Sequence, residues 1–353
     1  MKLLNYVLFF LLILLLTSCK TAMLYTTLDV LRPAQAEFAP EVENLLIVNN
    51  SKVQPENLGH ITRFFTGQTL EVSVPSDSVS LFALSVLTDA IDNINFFNSV
   101  DLLLNSINRN TNFSSITPLP RATVVNLSRM HDADAILSLD HIAVRSDVRE
   151  YIHHHRDLGY SLSLAVLEVR YESWWSIHYP NSPEVVGLHF RDSLIWESDW
   201  HHDRVEALEA LPYRYDALID GALFVGQNSV RRFLPFWEKS DRFFFNPSNR
   251  LMRQAIDSVV VQNWESALEL WKQVFESSEN NRLRAESANN IAIAYEILGD
   301  FDEALKYAKI SYELFNTTVT TRESTLIRLS DYIQELQRRK VEILLLNRQL
   351  GIF

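Results

Sequence analysis

The chain has 353 residues, is 47% hydrophobic, carries a formal net charge of −12 at neutral pH and contains a single cysteine. The acidic balance excludes nucleic acid as the main partner, because that affinity comes largely from Lys/Arg–phosphate contacts. One cysteine excludes an internal disulfide, so the fold rests on its core, and the length predicts two domains.

The first element is a charged start at Lys2, an apolar run from Leu3 to Leu16, and then Thr17-Ser18-Cys19. A short positive segment, an apolar stretch and small residues at a cleavage point make an export signal. The run is shorter than the roughly 20 residues a spanning helix needs. This arrangement resembles the lipobox of bacterial lipoproteins. It implies a signal peptide over 1–18 and lipidation of the Cys19 thiol, the side chain able to form a thioether to diacylglycerol. One acyl chain binds a membrane marginally, whereas two or more hold it firmly. Residues 19–40 are expected to form the lipidated N-terminus and a tether or first strand. The segment Lys20-Thr21-Ala22-Met23 has no acidic cluster of the kind that resembles a surface-export signal in Bacteroidetes-type lipoproteins. The expected location is therefore the outer membrane, lipid-anchored, on the periplasmic face.

Residues 41–245 read as an α/β (or α+β) domain. Leu45-Leu46-Ile47-Val48 is a short apolar strand. Leu81, Leu84, Leu87, Ala90, Ile91 and Ile94 fall at helical spacing. A strand follows at Val100–Leu104, a short helix near Arg121–Met130, and another strand from Ala135. Leu162–His178 and Val185–Trp200 read as the arms of a long β-hairpin, because Tyr179-Pro180-Asn181-Ser182-Pro183 between them has turn chemistry. A helix near Tyr215–Phe233 carries Leu218, Ala222, Val225 and Val230 on one face. This order is similar to the small α/β domain of curli-secretion and penicillin-binding-protein-activator lipoproteins, an analogy of fold alone.

Residues 246–353 read as an all-α domain. Asn263-Trp264-Glu265-Ser266-Ala267-Leu268 repeats as Asp300-Phe301-Asp302-Glu303-Ala304-Leu305. With Ala292, Tyr295 and Gly299 ahead of it, the second copy resembles the tetratricopeptide pattern; in the first copy Ser258 replaces the Tyr and Gln262 the Gly. Ala255, Ala267, Ala292 and Ala304 are expected where paired helices approach closely. Thr320-Thr321-Arg322-Glu323 has the form of a capping box and predicts a long final helix that caps the domain. In the tetratricopeptide register, Met252, Ile256, Val259, Asn289, Ile293 and Glu296 would line a partner groove, unless the final helix or the α/β domain fills it.

Catalytic signatures are sparse. His153-His154-His155 and His201-His202 invite a metal, but adjacent residues of a strand point to opposite faces, and the triplet reads as a polar loop over 149–159. Asp132, Asp134 and Asp140 are the carboxylates on which an unorthodox hydrolase would depend. The chain has no nucleophile elbow and no phosphate-binding glycine loop. Neither a cofactor nor a metal is expected. The aromatic stretch Phe233–Phe245 is expected to form a core between the domains.

Asp29-Val30-Leu31-Arg32-Pro33-Ala34, Val48-Asn49-Asn50, Arg231-Arg232-Phe233-Leu234-Pro235-Phe236-Trp237 and Gly299-Asp300-Phe301-Asp302-Glu303-Ala304 together resemble an uncharacterised family of Bacteroidetes lipoproteins. In that family a domain of unknown function is followed by tetratricopeptide-like repeats. The resemblance implies location and architecture without an activity. The functional expectation is a non-enzymatic partner-binding or scaffolding lipoprotein of the cell envelope. It would hold a protein or peptide partner and reach the membrane through its N-terminal lipid. The alternatives are a regulator of a cell-wall synthase and an envelope hydrolase.

Overall fold

The computed structural model describes residues 22–108, 112–155, 159–319 and 321–352. The expected signal peptide, Cys19 and Thr320 of the expected capping box lie outside the described residues. Two compact units emerge. One combines the described residues of Met1–Pro33 with Trp237–Arg348, and the other combines Ala34–Phe236 with Gln349–Phe353. The first described strand, β1 (Ala22–Arg32), belongs to the former.

The second unit is a seven-stranded mixed sheet with helices. Its strands are β2 (Asn44–Asn49), β3 (His60–Arg63), β4 (Thr69–Glu71), β5 (Ser99–Leu103), β6 (Ala135–His155), β7 (Tyr160–His178) and β8 (Val185–Glu197). Its helices are α1 (Val79–Asp92), α2 (Arg121–His131), α3 (Arg204–Glu209) and α4 (Arg214–Phe233). The expected α/β class and the long hairpin are both present. The 21-residue β6 is the spine. One edge of β6 pairs in parallel with β2 through Ala135–Leu139, and further along with β3 through Ser146–Arg149. Its other edge pairs antiparallel with β7 along its whole length, and β7 pairs with β8.

Hydrophobic periodicity explains the main core. Ala83, Leu84, Leu87 and Ile91 of α1 and Ala217, Leu218, Ala222 and Val225 of α4 are buried with Leu137, Leu139, Val169 and Ile177 of the sheet. Complete burial of a Leu or Ile side chain contributes about 1.5–3 kcal/mol. The two helices touch at Gly226, where a Cβ would collide with the Ala83 carbonyl. A Cβ at Gly221 would likewise strike the Tyr171 ring. The Tyr171 hydroxyl donates to the Leu218 carbonyl at 2.5 Å, which fastens β7 to α4.

A register shift between Leu139 and His141 reverses the side-chain alternation of β6. Before it, Leu137 and Leu139 enter the main core; after it, Ile142, Val144 and Val148 do. One extra residue in a strand moves every later side chain to the opposite face. On the second face α2 covers only the early part of the sheet, through Leu46, Val48, Leu119, Val124 and Ile136.

In the helical unit β1 pairs with β9 (Phe236–Asn246). Two helical hairpins follow: α5 (Arg250–Val260) with α6 (Trp264–Ser277), then α7 (Asn281–Ile297) with α8 (Phe301–Asn316). The long α9 (Glu323–Gln349) closes the chain. The two hairpin turns match in conformation. Asn263 and Asp300 each accept a hydrogen bond from the backbone N–H three residues on. Gln262 and Gly299, one residue earlier, both have positive φ, at 58° and 85°. Ala255, Ala267, Ala292 and Ala304 are fully buried, as close helix approach requires.

The aromatic stretch divides between the units instead of forming one core. Phe233 packs in the α/β core, whereas Phe244 and Phe245 pack among helices α7, α8 and α9. Trp237 is exposed. The stretch contains a strand, β9, whose alternate residues serve different neighbours.

Candidate functional site

Beyond the edge of α2, the second face of the sheet is open. The switch in β6 turns His141, Ala143, Arg145 and Asp147 to this face, where they meet Glu168, Arg170, Glu172 and Trp174 of β7. Phe113 and Ile116 form one wall, Leu58 and Ile61 another, and the cleft between them measures about 590 Å³. A second hollow of about 350 Å³ adjoins it over β7 and β8 and shares Ala143, Arg145, Arg170 and Glu172.

The aromatic part is a stack. Trp174 lies parallel to His189 with 4.5 Å between centroids, and His141 sits between Trp174 and Phe113. Burial holds the His141 imidazole below its usual range, which keeps that ring neutral near pH 7.

The charged part is an unequal set of pairs. Asp147 holds Arg63 at 3.0 Å and Arg149 at 2.9 Å. Glu168 holds Arg170 at 2.5 Å. Glu172 holds Arg191 at 2.8 Å and His189 at 2.9 Å. Burial tends to raise the Glu172 carboxyl, but these two partners outweigh it and keep it below the ordinary carboxylate range. Asp192, at the smaller hollow, is held by Arg232 at 2.6 Å.

On the same face, toward the start of β6, lies a buried polar cluster of which sequence reasoning singled out only Asp140. Asp140 accepts from Ser138 at 2.8 Å, Asn50 at 2.8 Å and Ser176 at 2.5 Å. His178 Nε2 lies 3.1 Å from the Ser138 hydroxyl. All five residues are buried. Burial raises the Asp140 carboxyl, and the three hydrogen bonds partly offset that rise. The types are those of a nucleophilic triad, but the serine donates to the carboxylate itself, whereas a triad serine donates to the imidazole. The cluster ties the end of β2 to β6 and β7. Its signal in the sequence was the i, i+2 spacing of Ser138/Asp140 and Ser176/His178 within apolar strands.

The three carboxylates considered for hydrolysis do not converge. Asp134 accepts from the backbone N–H groups of Glu43 and Asn44 and so fastens the start of β2. Asp132 caps α2 in the left-handed conformation, and Asp140 is enclosed as described.

The histidine triplet is strand, a correction to the expected loop. His153, His154 and His155 end β6 and pair with Leu162, Ser161 and Tyr160. His153 and His155 share a face with ring centroids 4.6 Å apart, while His154 turns to the Ser161 hydroxyl. Among the described residues, no group of three or more His, Cys, Asp or Glu side chains is placed to hold a metal ion.

The six positions expected to line a partner groove are interior or half-buried, and the chain's own β9 and α9 occupy the space. Met252 is enclosed in the α5–α6–α7 core. Ile256, Val259 and Ile293 pack with Phe244, Tyr332 and Leu336. Asn289 donates to the Phe243 carbonyl at 2.9 Å. Glu296 forms a bidentate pair with Arg242 at 2.7 and 2.8 Å and accepts from the Tyr332 hydroxyl at 2.9 Å.

Residues 42–245 match the family described as Domain of unknown function (DUF8603). The chain belongs to that family. Its matched region contains the sheet and the whole open cleft. Residues 253–338 are similar to a second family, Domain of unknown function (DUF6340), which falls within the helical unit. No curated protein matches the chain. No helix among the described residues is long and apolar enough to cross a membrane.

Proposed function

We propose that this DUF8603 protein is a lipoprotein, anchored through Cys19 to the periplasmic face of the outer membrane, that binds a protein or peptide partner without catalysing a reaction on it. The partner surface in this reading is the open face of the sheet. The helical unit is a tetratricopeptide-like pair of hairpins that serves as a scaffold, its groove taken by β9 and α9.

One observation carries the reading. The solvent-facing cleft offers stacked aromatics and ion pairs, while the nucleophile-type residues Ser138, Asp140 and His178, farther along the same sheet, are enclosed. Exposed apolar surface beside fixed polar groups is suited to recognition. The matched caps at Asn263 and Asp300, with positive φ at Gln262 and Gly299, support the repeat assignment.

Full-length lipidated chain carrying a photo-crosslinking residue at Ser193, beside the cleft, should yield envelope-protein adducts. The same residue at Glu269, exposed on α6, should not yield them. Identical adduct sets, or none at Ser193, would remove the role given to the sheet face. Anchoring is tested separately: Cys19→Ser should leave an unprocessed precursor, and normal maturation would overturn the lipid assignment.

A further inference from the structure

Arg145 is the anomaly of the cleft. It projects from β6 between the two hollows and is exposed, and its side chain makes no hydrogen bond or ion pair among the described residues. Directly across the β6–β7 ladder, on the same face, stands Arg170. Two like charges on opposed strand positions destabilise a sheet. Every carboxylate that lines the hollows already holds another arginine: Asp147 takes Arg63 and Arg149, Glu168 takes Arg170, Glu172 takes Arg191, and Asp192 takes Arg232. The backbone makes room for the side chain, since Gly59, at φ 87°, would set a Cβ 3.0 Å from Arg145 Cγ. Glu168 neutralises Arg170, whereas the Arg145 charge has no ion-pair partner among the described residues, and such an uncompensated charge in a cleft marks a functional position.

We infer that Arg145, the cation beside the Glu168-paired Arg170, receives a carboxylate of the peptide partner, and that a neighbouring apolar side chain of that peptide enters the larger hollow against Phe113 and Trp174. The inference rests on the partner-binding reading above and specifies its chemistry. A guanidinium fork matches a carboxylate bidentately. A single negative charge suits the site better than a dianionic phosphate, because Asp147, Glu168 and Glu172 line the same surface and repel the second charge. The two hollows together have the size of a small-ligand or short-peptide site.

The probes are acetyl-Phe-Asp-amide, acetyl-Phe with a free C-terminal carboxylate, the neutral acetyl-Phe-Asn-amide, and inorganic phosphate. Binding to the full chain is followed by NMR of arginine Nε–H resonances and by tryptophan fluorescence. One of the two acidic probes should bind at least about tenfold more tightly than the Asn peptide, the worth of a charged hydrogen-bonded pair, and Arg145→Gln should abolish the difference. Which acidic probe wins tells a side-chain carboxylate from a C-terminal one. The Arg145 side chain has no hydrogen-bond or ion-pair partner to lose among the described residues, so the variant should remain folded, with unchanged amide dispersion. Equal binding of acidic and neutral probes, binding unaffected by Arg145→Gln, or a response to phosphate alone would each overturn the inference. Envelope adducts at Ser193 that persist undiminished in Arg145→Gln would overturn it while leaving the partner-binding reading standing. Loss of adducts in the unsubstituted chain would instead remove that reading.

Discussion

Replacing Arg242 with Met should unfasten the helical unit. Arg242 of β9 and Glu296 of α7 are almost fully enclosed, with side chains 5% and 1% exposed. Their two hydrogen bonds, 2.7 and 2.8 Å, form a fork, and Tyr332 and Arg339 of α9 complete the shell at 2.9 and 3.3 Å. Removing the guanidinium leaves the Glu296 carboxylate in a site without solvent, with Arg339 as its remaining cation. Breaking a buried pair in this way costs about 3–5 kcal/mol, whereas replacing both partners with apolar groups is often close to neutral. Hydrogen exchange is the fitting assay, because it reads α7 locally in a chain of two units. Protection of the slowest α7 amides should fall by more than about a hundredfold in Arg242→Met. It should recover substantially in Arg242→Met with Glu296→Met. A single substitution that costs under about 1 kcal/mol, or a double that costs the sum of two large singles, would refute the view that an uncompensated charge sets the magnitude.

Three further outcomes are expected. Gln262→Gly should stabilise the helical unit by about 0.5–1 kcal/mol, because Gln262 holds a left-handed conformation that Gly299 adopts freely in the second hairpin; a lowered urea midpoint would contradict it. Gly226→Ala should destabilise the α/β unit by about 1–3 kcal/mol through the clash with the Ala83 carbonyl, and unchanged thermal unfolding would show that α1 can shift freely. His60 supplies a pH test. Burial, with the Arg214 charge added, holds its imidazole at about 4 against an ordinary 6.5. Between those values the unfolded chain binds a proton that the folded chain refuses. Stability from this group is therefore complete above about pH 6.5 and falls by up to about 3 kcal/mol as pH drops toward 4. His60→Asn should flatten that part of the urea-midpoint profile, and a profile as steep as the original would count against the assignment.

Local pattern was enough to place many of the elements. The turn at Tyr179–Pro183 and the alternation on either side of it gave the hairpin, observed as Tyr160–His178 and Val185–Glu197. The helical spacing of Leu218, Ala222 and Val225 gave α4 to within a residue. The short strands β3 and β4 lacked such a pattern: β4 has three exposed residues and no apolar face to reveal it. The His153–His155 triplet was misread because strand pairing with Leu162, Ser161 and Tyr160, not composition, ordered it.

By itself, the sequence determined the α/β class and the helical hairpins with their small contact residues. Those properties follow from residues within a few positions of one another, where backbone period and side-chain volume act directly. Tertiary structure alone decided which chemistry faces water. One added residue near Asp140 turned Arg145 outward while Ser138 and Asp140 stayed enclosed. The partner of Glu296 came from Arg242, 54 positions away, and that of Asp140 from Asn50, 90 positions away. β9 and α9 fill the expected groove, and the cleft is open because α2 ends before covering it. Contacts between residues so far apart depend on burial and register across the whole sheet or bundle, which no local window encodes.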